Sequence, residues 1–219
     1  MDKSPVYYTA EQTGIIERYL DDKLGPEDNG AVMHEHHSDY VHTDVYIREY
    51  KGKGIVFTTV GMGARKMKVP DGAFGRIELV MFGSTALCMD PDDPEIKKIY
   101  TVCSELVKLS KYPFANDTWL GRLHTINASD KFAAEFGYRY FLLSPHLNFA
   151  YLSDNDAVCF LKLIPIYEKE REWIISNEDG SRRFSEAFYE LMEIHGKRMY
   201  FFDEPRELII PRDENVLSC

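Results

Sequence analysis

The apolar and polar positions divide the chain into the order helix, strands, helix, strands, helices. Ile15, Ile16, Tyr19, Leu20 and Leu24 recur with a helical period. Thr9 stands three residues before Gln12, the spacing of a capping box, and Gly25 and Pro26 end the helix. The stretch PEDNGAVMHEHH reads as loop. From Tyr40 to Glu49 the pattern changes to alternation. Val41, Thr43, Val45 and Ile47 share one face, and Tyr40, His42, Asp44, Tyr46 and Arg48 the other. KGKG is a turn, and GIVFTTVGM returns as the second arm of a hairpin. MGARKMKVPDGAFG reads as a long connection or a short edge strand. RIELVMFGS is apolar on both faces over LVMF, which predicts a central strand.

The second half opens with the strongest helical stripe: Ile96, Ile99, Tyr100, Cys103, Leu106 and Val107. Asp92 or Asp93 can cap it, Pro94 and Glu95 suit its first turn, and the approach to Pro113 ends it. WLGRLHTI and YRYFLLSP predict two strands joined by NASDKFAAEFG, and AVCFLKLIPIY a strongly apolar third. EKEREWIISNEDG predicts a short helix stopped by Gly180. SRRFSEAFYELMEIHG predicts another, with Phe184, Phe188, Leu191 and Met192 on one side and Gly196 at its end. KRMYFFDEPRELIIP holds one more short strand before an exposed C-terminal tail. Grouped strands argue against a strictly alternating fold. They predict an α+β sandwich: a mixed, largely antiparallel sheet flanked by helices.

At 219 residues and 44% hydrophobic content, the chain reads as one globular domain over 1–219, with its core over about 10–210 and a short tail. Acidic residues outnumber basic ones 36 to 26, a formal charge of −10, which repels phosphate backbones and favours basic protein partners. Nucleic acid is therefore not an expected partner. Cys88, Cys103 and Cys159 lie in apolar runs and read as buried thiols. With no apolar signal core at the N-terminus and no run long enough to span a bilayer, the expectation is a cytoplasmic protein without membrane contact.

The segment HEHHSDYVHTDVYI concentrates His34, His36, His37 and His42 with three carboxylates. His36, His42 and Asp44 make a conceivable metal set, but the spacing matches no established zinc signature. His42 and Asp44 share a strand face and suit acid–base work only if a pocket and a nucleophile complete them. A solvated loop leading into a half-buried strand is the plainer reading. GMGARK lacks phosphate-loop spacing, and its glycines read as a turn or bulge. Neither FGSTA nor LLSPH forms a nucleophile elbow. The acidic stretches DPDDPE and EKERE read as a helix cap and a solvated, charge-balancing face. No assembled catalytic apparatus emerges, and no cofactor is expected.

The succession VHTDVYI, VFTTVGM, FGRIELVMF and FLKLIPIYEKEREW resembles the Suppressor of fused family over roughly residues 10–210. The matching residues are His42 and Asp44; Thr58, Thr59, Gly61 and Met62; Glu78 and Leu79; and Pro165, Glu168 and Glu170. In animals the family member restrains zinc-finger transcription factors of the Hedgehog pathway, clamping a short peptide between two domains. The resemblance here covers the first domain. Arg122 stands where an acidic peptide contact would be, which inverts the local charge. Bacterial members are regarded as immunity proteins against toxin domains.

The resemblance implies a non-catalytic binding protein that occludes a protein partner, such as a basic toxin domain, through an edge strand or an acidic face. Asp44, Glu78, Trp119, Arg122 and His124 are the candidate contact residues. Asp44 and Glu78 have an alternative reading as buried hydrogen-bonding partners, and His124 as a core histidine. The competing functions are a metal-dependent enzyme using residues 34–44 and a subunit that self-associates through an exposed edge.

Overall fold

The computed structural model describes residues 3–26, 30–87, 89–90, 92–177, 188, 192 and 201–209, with the backbone alone for 145–148. The strands are β1 (Ala31–Met33), β2 (Asp44–Glu49), β3 (Ile55–Val60), β4 (Ile77–Gly83), β5 (Thr125–Asn127), β6 (Tyr140–Ser153) and β7 (Asp156–Ile166). The helices are α1 (Ala10–Leu24), α2 (Ile96–Ala115), α3 (Asp130–Phe136) and α4 (Glu168–Asn177). The strands form one seven-stranded sheet in the order β1-β2-β3-β4-β7-β6-β5. Every neighbouring pair is antiparallel except β4 and β7, which run parallel. This is the expected mixed, largely antiparallel α+β sheet.

Alternation along the strands sends side chains to two cores. On one face Val45, Ile47, Phe57, Leu79, Met81 and Leu161 pack with Ile99, Val102, Cys103, Leu106 and Leu109 of α2. On the other, Tyr46, Val56, Val80 and Phe160 meet Ile16, Leu20 and Leu24 of α1. Farther along that face, Leu142, Ile164 and Ile166 pack with Ile174 of α4 and with Phe188 and Met192. Both faces are thus covered, and β3 and β4 are buried at every position. Arg48 is buried too, its guanidinium bonding Asp21 of α1 at 2.5 Å and the Gly25 carbonyl at 3.0 Å. Cys103 and Cys159 are buried free thiols, pushed by burial up to about 12 and about 11. Cys88 lies outside the described residues.

The capping box on Thr9 and Gln12 opens α1 as expected, and the β2–β3 hairpin closes over KGKG. Several expectations shift. α2 runs on through Pro113 to Ala115, because a proline in the last turn leaves the earlier ladder intact. Tyr100 is 51% exposed and does not belong to the buried stripe. WLGRLHTI is strand only from Thr125. YRYFLLSP is the start of a 14-residue strand that passes Pro145 with shifts of register. NASDKFAAEFG holds α3, capped by Ser129 and ended by Gly137 in a left-handed conformation. β1 lies in the stretch read as loop. After α4, the helix expected over 181–196 falls outside the described residues apart from Phe188 and Met192. Among the described residues of the late segment, Phe201 forms an isolated β-bridge with Phe82.

Candidate functional site

One end of the sheet closes around a single carboxylate. Glu78 sits in the fully buried β4 at 0% exposure. Its Oε1 accepts from the Tyr8 hydroxyl at 2.9 Å and from the backbone N–H groups of Gly61 and Gly63, each at 3.0 Å. Its Oε2 accepts from the Thr59 hydroxyl at 2.6 Å, and Thr59 Oγ1 itself accepts from Leu79 N at 2.8 Å. Glycine is required in the turn that follows β3. Gly61 has φ +129°, and a Cβ there would lie 2.0 Å from the His42 carbonyl oxygen. A Cβ on Gly63 would lie 2.3 Å from Tyr8 Oη. Burial pushes the Glu78 carboxyl up to about 7, against the pull of its four donors. Burial and the nearby Glu78 charge likewise raise the Tyr8 phenol.

Asp44 opens β2 at the same end of the sheet. Its carboxylate lies between two imidazoles, His34 Nδ1 at 3.2 Å and His42 Nε2 at 3.2 Å, and accepts from Glu35 N at 3.1 Å. His42 Nδ1 lies 2.7 Å from Ser38 Oγ, and its ring stacks on Tyr7 with centroids 5.0 Å apart. Ser38 Oγ donates to Glu35 at 3.1 Å, and Glu35 also accepts from Thr43 N and pairs with Lys111. The result is a hydrogen-bonded loop anchor. Ser38, His42 and Asp44 lie in a line, with Ser38 Oγ placed between His42 Nδ1 and the Glu35 carboxylate. His36 is exposed, and the imidazole beside Asp44 with His42 belongs to His34. Among the described residues no group of three or more His, Cys, Asp or Glu side chains is arranged to hold a metal.

Trp119, Arg122 and His124 lie at the opposite flank, on the loop entering β5. The Trp119 and His124 rings meet edge to face with centroids 4.3 Å apart, and Arg122 is exposed between them in sequence. Trp119 also packs on the main core. The turn places Leu123 at φ 64°, and it pairs back onto β6 through Leu123 N to Leu143 O and Leu143 N to His124 O. Beyond it, Ala128 N bonds Arg139 O. With Thr125 opposite Leu142 and Asn127 opposite Tyr140, these bonds turn the even positions toward β6 and the backbone of Thr125 and Asn127 outward. Among the described residues no strand lies beyond β5. Of the five candidate contacts, then, Trp119 and His124 are brought together, with Arg122 beside them. Asp44 stands apart, and Glu78 is sealed inside.

Residues 37–203 match the family model described as Suppressor of fused protein (SUFU). The chain belongs to the Suppressor of fused family. Its fold resembles that of the Sufu–Fu complex crystal structure at a TM-score of 0.58 and 10% identity, over 87% of this chain and 85% of that one. It also resembles the crystal structure of Drosophila Suppressor of Fused at a TM-score of 0.52 and 11% identity, over 93% of this chain and 52% of that one. No curated protein matches the chain. The Suppressor of fused domain is a protein-binding module, and no helix among the described residues is long and apolar enough to cross a membrane.

The geometry gives the Suppressor of fused motifs a physical reading. Thr59 and Gly61 each donate to the Glu78 carboxylate, and the Gly61 turn leaves room only for the His42 backbone. Glu170, expected on a solvated face, is 0% exposed. It accepts from Tyr167 N at 2.8 Å, Ile209 N at 2.9 Å and Arg206 Nη2 at 2.6 Å, with Arg206 Nη1 on its other oxygen. Arg206 in turn lies 5.0 Å from the Tyr167 ring centroid. The start of α4 is thereby tied to the segment 201–209. The sequence spacing of 36 residues carries no sign of this pair.

Proposed function

We propose that this Suppressor of fused domain binds a protein partner stoichiometrically, taking an extended segment along the outer edge of β5 beside Trp119, Arg122 and His124. The observation that carries the reading is the outward-turned backbone of Thr125 and Asn127 at a sheet edge. Such an edge is a ready template for strand addition, with backbone bonds giving affinity and neighbouring side chains giving selectivity. The aromatic pair Trp119–His124 supplies a rigid contact beside it. That a relative was crystallised as a Sufu–Fu complex supports complex formation as the activity. The formal charge of −10 favours a basic partner, and a toxin domain whose basic face the chain would occlude fits that charge. In this reading the chain is a single non-catalytic domain acting in the cytoplasm, and Glu78 and Asp44 support the fold from which the edge is presented.

The test is titration calorimetry with a basic toxin domain encoded beside this chain, using wild type and Asn127→Pro. Proline removes the outward N–H without touching the bonds to β6. A one-to-one complex that weakens by about tenfold in the variant is the expected result. Equal binding by both proteins would place the interface elsewhere.

A further inference from the structure

We propose that the cleft between the 66–76 loop and the β6–β7 hairpin tip receives an arginine side chain of the protein partner. The inference rests on the reading of the chain as a binding domain and adds a second contact, distinct from the β5 edge. The cleft has a volume of about 460 Å³. Its wall is aromatic and open to solvent: Tyr151 is 65% exposed and Phe74 46% exposed. Phe74 stacks on Phe149 with centroids 4.5 Å apart, and Phe149 meets Tyr151 edge to face at 6.4 Å. Three linked rings held by a strand and a loop make a rigid platform, and aromatic faces of this kind attract a guanidinium.

The charges in the cleft select the sign of the occupant. Lys66 pairs with Asp156 at 3.1 Å. Arg76 Nε lies 3.1 Å from both oxygens of Asp156, and its Nη1 donates to the carbonyls of Gly63 and Ala64 at 2.5 and 2.7 Å. Both cations of the cleft are therefore engaged from within. Burial acts to raise the Asp156 carboxyl, but hydrogen bonds from Arg76 and Lys66 and their charges together hold it below its ordinary value. Two cations share the one Asp156 carboxylate, so the four charges of the cleft balance once Asp154 is counted, and Asp154 is the acid that stands exposed at the hairpin turn without a hydrogen bond or ion pair among the described residues. An exposed carboxylate beside open aromatic faces suits a planar cation that stacks and donates in one plane, which is arginine more than lysine. An acidic or phosphorylated segment would face Asp154 directly.

The experiment titrates the full chain with Gly-Arg, Gly-Lys and Gly-Glu repeat peptides of equal length, reading amide shifts by NMR. The expected result is that the arginine peptide shifts the 72–76 and 151–157 amides and binds about threefold more tightly than the lysine peptide. Tyr151→Ala and Asp154→Asn, both at exposed positions, each weaken it by about fivefold with an unchanged thermal midpoint. Three results would overturn the proposal: equal arginine and lysine affinities with shifts scattered over the acidic surface, tighter binding of the glutamate peptide, or variants that bind as wild type. Self-association through these rings, seen as a concentration-dependent sedimentation coefficient lost in Tyr151→Ala, would also overturn it. Asn127→Pro keeps the arginine response, so failure here and failure of the β5 reading are separable.

Discussion

The Glu78 end of the sheet and the β5 edge are built on opposite principles. Around Glu78, four donors from the N-terminal segment, β3 and the glycine turn converge on one carboxylate. Along β5, the backbone of Thr125 and Asn127 faces away from the sheet with no strand beyond it among the described residues. Buried polar groups must find partners inside the protein, whereas exposed ones are free to find them on another chain. The sealed end should therefore govern stability and the open edge association. Substitutions at the two places should separate cleanly.

The largest effect is expected from Gly61→Ala. The new Cβ meets a backbone oxygen at 2.0 Å in a conformation with φ +129°, so neither side can yield cheaply. A loss of at least about 4 kcal/mol by urea denaturation is expected. Glu78→Ala comes next. It strips the acceptor from two hydroxyls and two backbone N–H groups, and at pH 5 it should cost about 3–5 kcal/mol.

Glu78 also sets a pH dependence. Its folded value of about 7 exceeds that of an unfolded glutamate, so the native state holds the proton longer. The stability from this group is full below pH ~4.5, falls as pH rises, and levels off above about 7. The drop across that window is roughly 3 kcal/mol. Glu78→Gln should flatten it, because an amide oxygen can accept the Oε1 donors while its NH₂ donates to Thr59. Denaturation midpoints at several pH values read this directly.

The contrast is sharpened at the edge. Asn127→Pro should weaken partner binding by about tenfold, near 1.4 kcal/mol, while leaving the unfolding free energy close to wild type. The smallest effect belongs to Tyr8→Phe. Losing one donor to the ionised carboxylate should cost about 1 kcal/mol at pH 8 and less at pH 5. It should also move the upper end of the pH window above that of wild type, since the charged form has lost a partner.

Much of this fold was legible along the chain. The Thr9–Gln12 box and the Ile16–Leu20 stripe mark α1, and the two-sided apolar run around Glu78 marks a central strand. Short elements escaped. β1 has three residues, too few for alternation to register, and α3 has seven, while β5 lies within the strand expected over WLGRLHTI but begins only at Thr125. The long β6 was truncated at Pro145, because a proline normally ends a strand unless the register shifts to accommodate it, as it does here. Trp119 and His124 could be nominated as contacts, but their ring pairing depends on the turn at Leu123, a left-handed residue with no glycine to announce it. Glu78 did carry a readable sign: a carboxylate between isoleucine and leucine in a central strand implies internal donors. Glu170 carried none, since its partner Arg206 arrives from a distant segment.

Amide hydrogen exchange of Thr125 and Asn127, compared between the free chain and the chain saturated with its partner, reads whether the β5 edge takes up the partner's strand. Rapid exchange when free and strong protection in the complex are expected, with the Gly61 and Gly63 amides slow in both. Rapid exchange at Thr125 and Asn127 in a saturated complex would contradict that uptake.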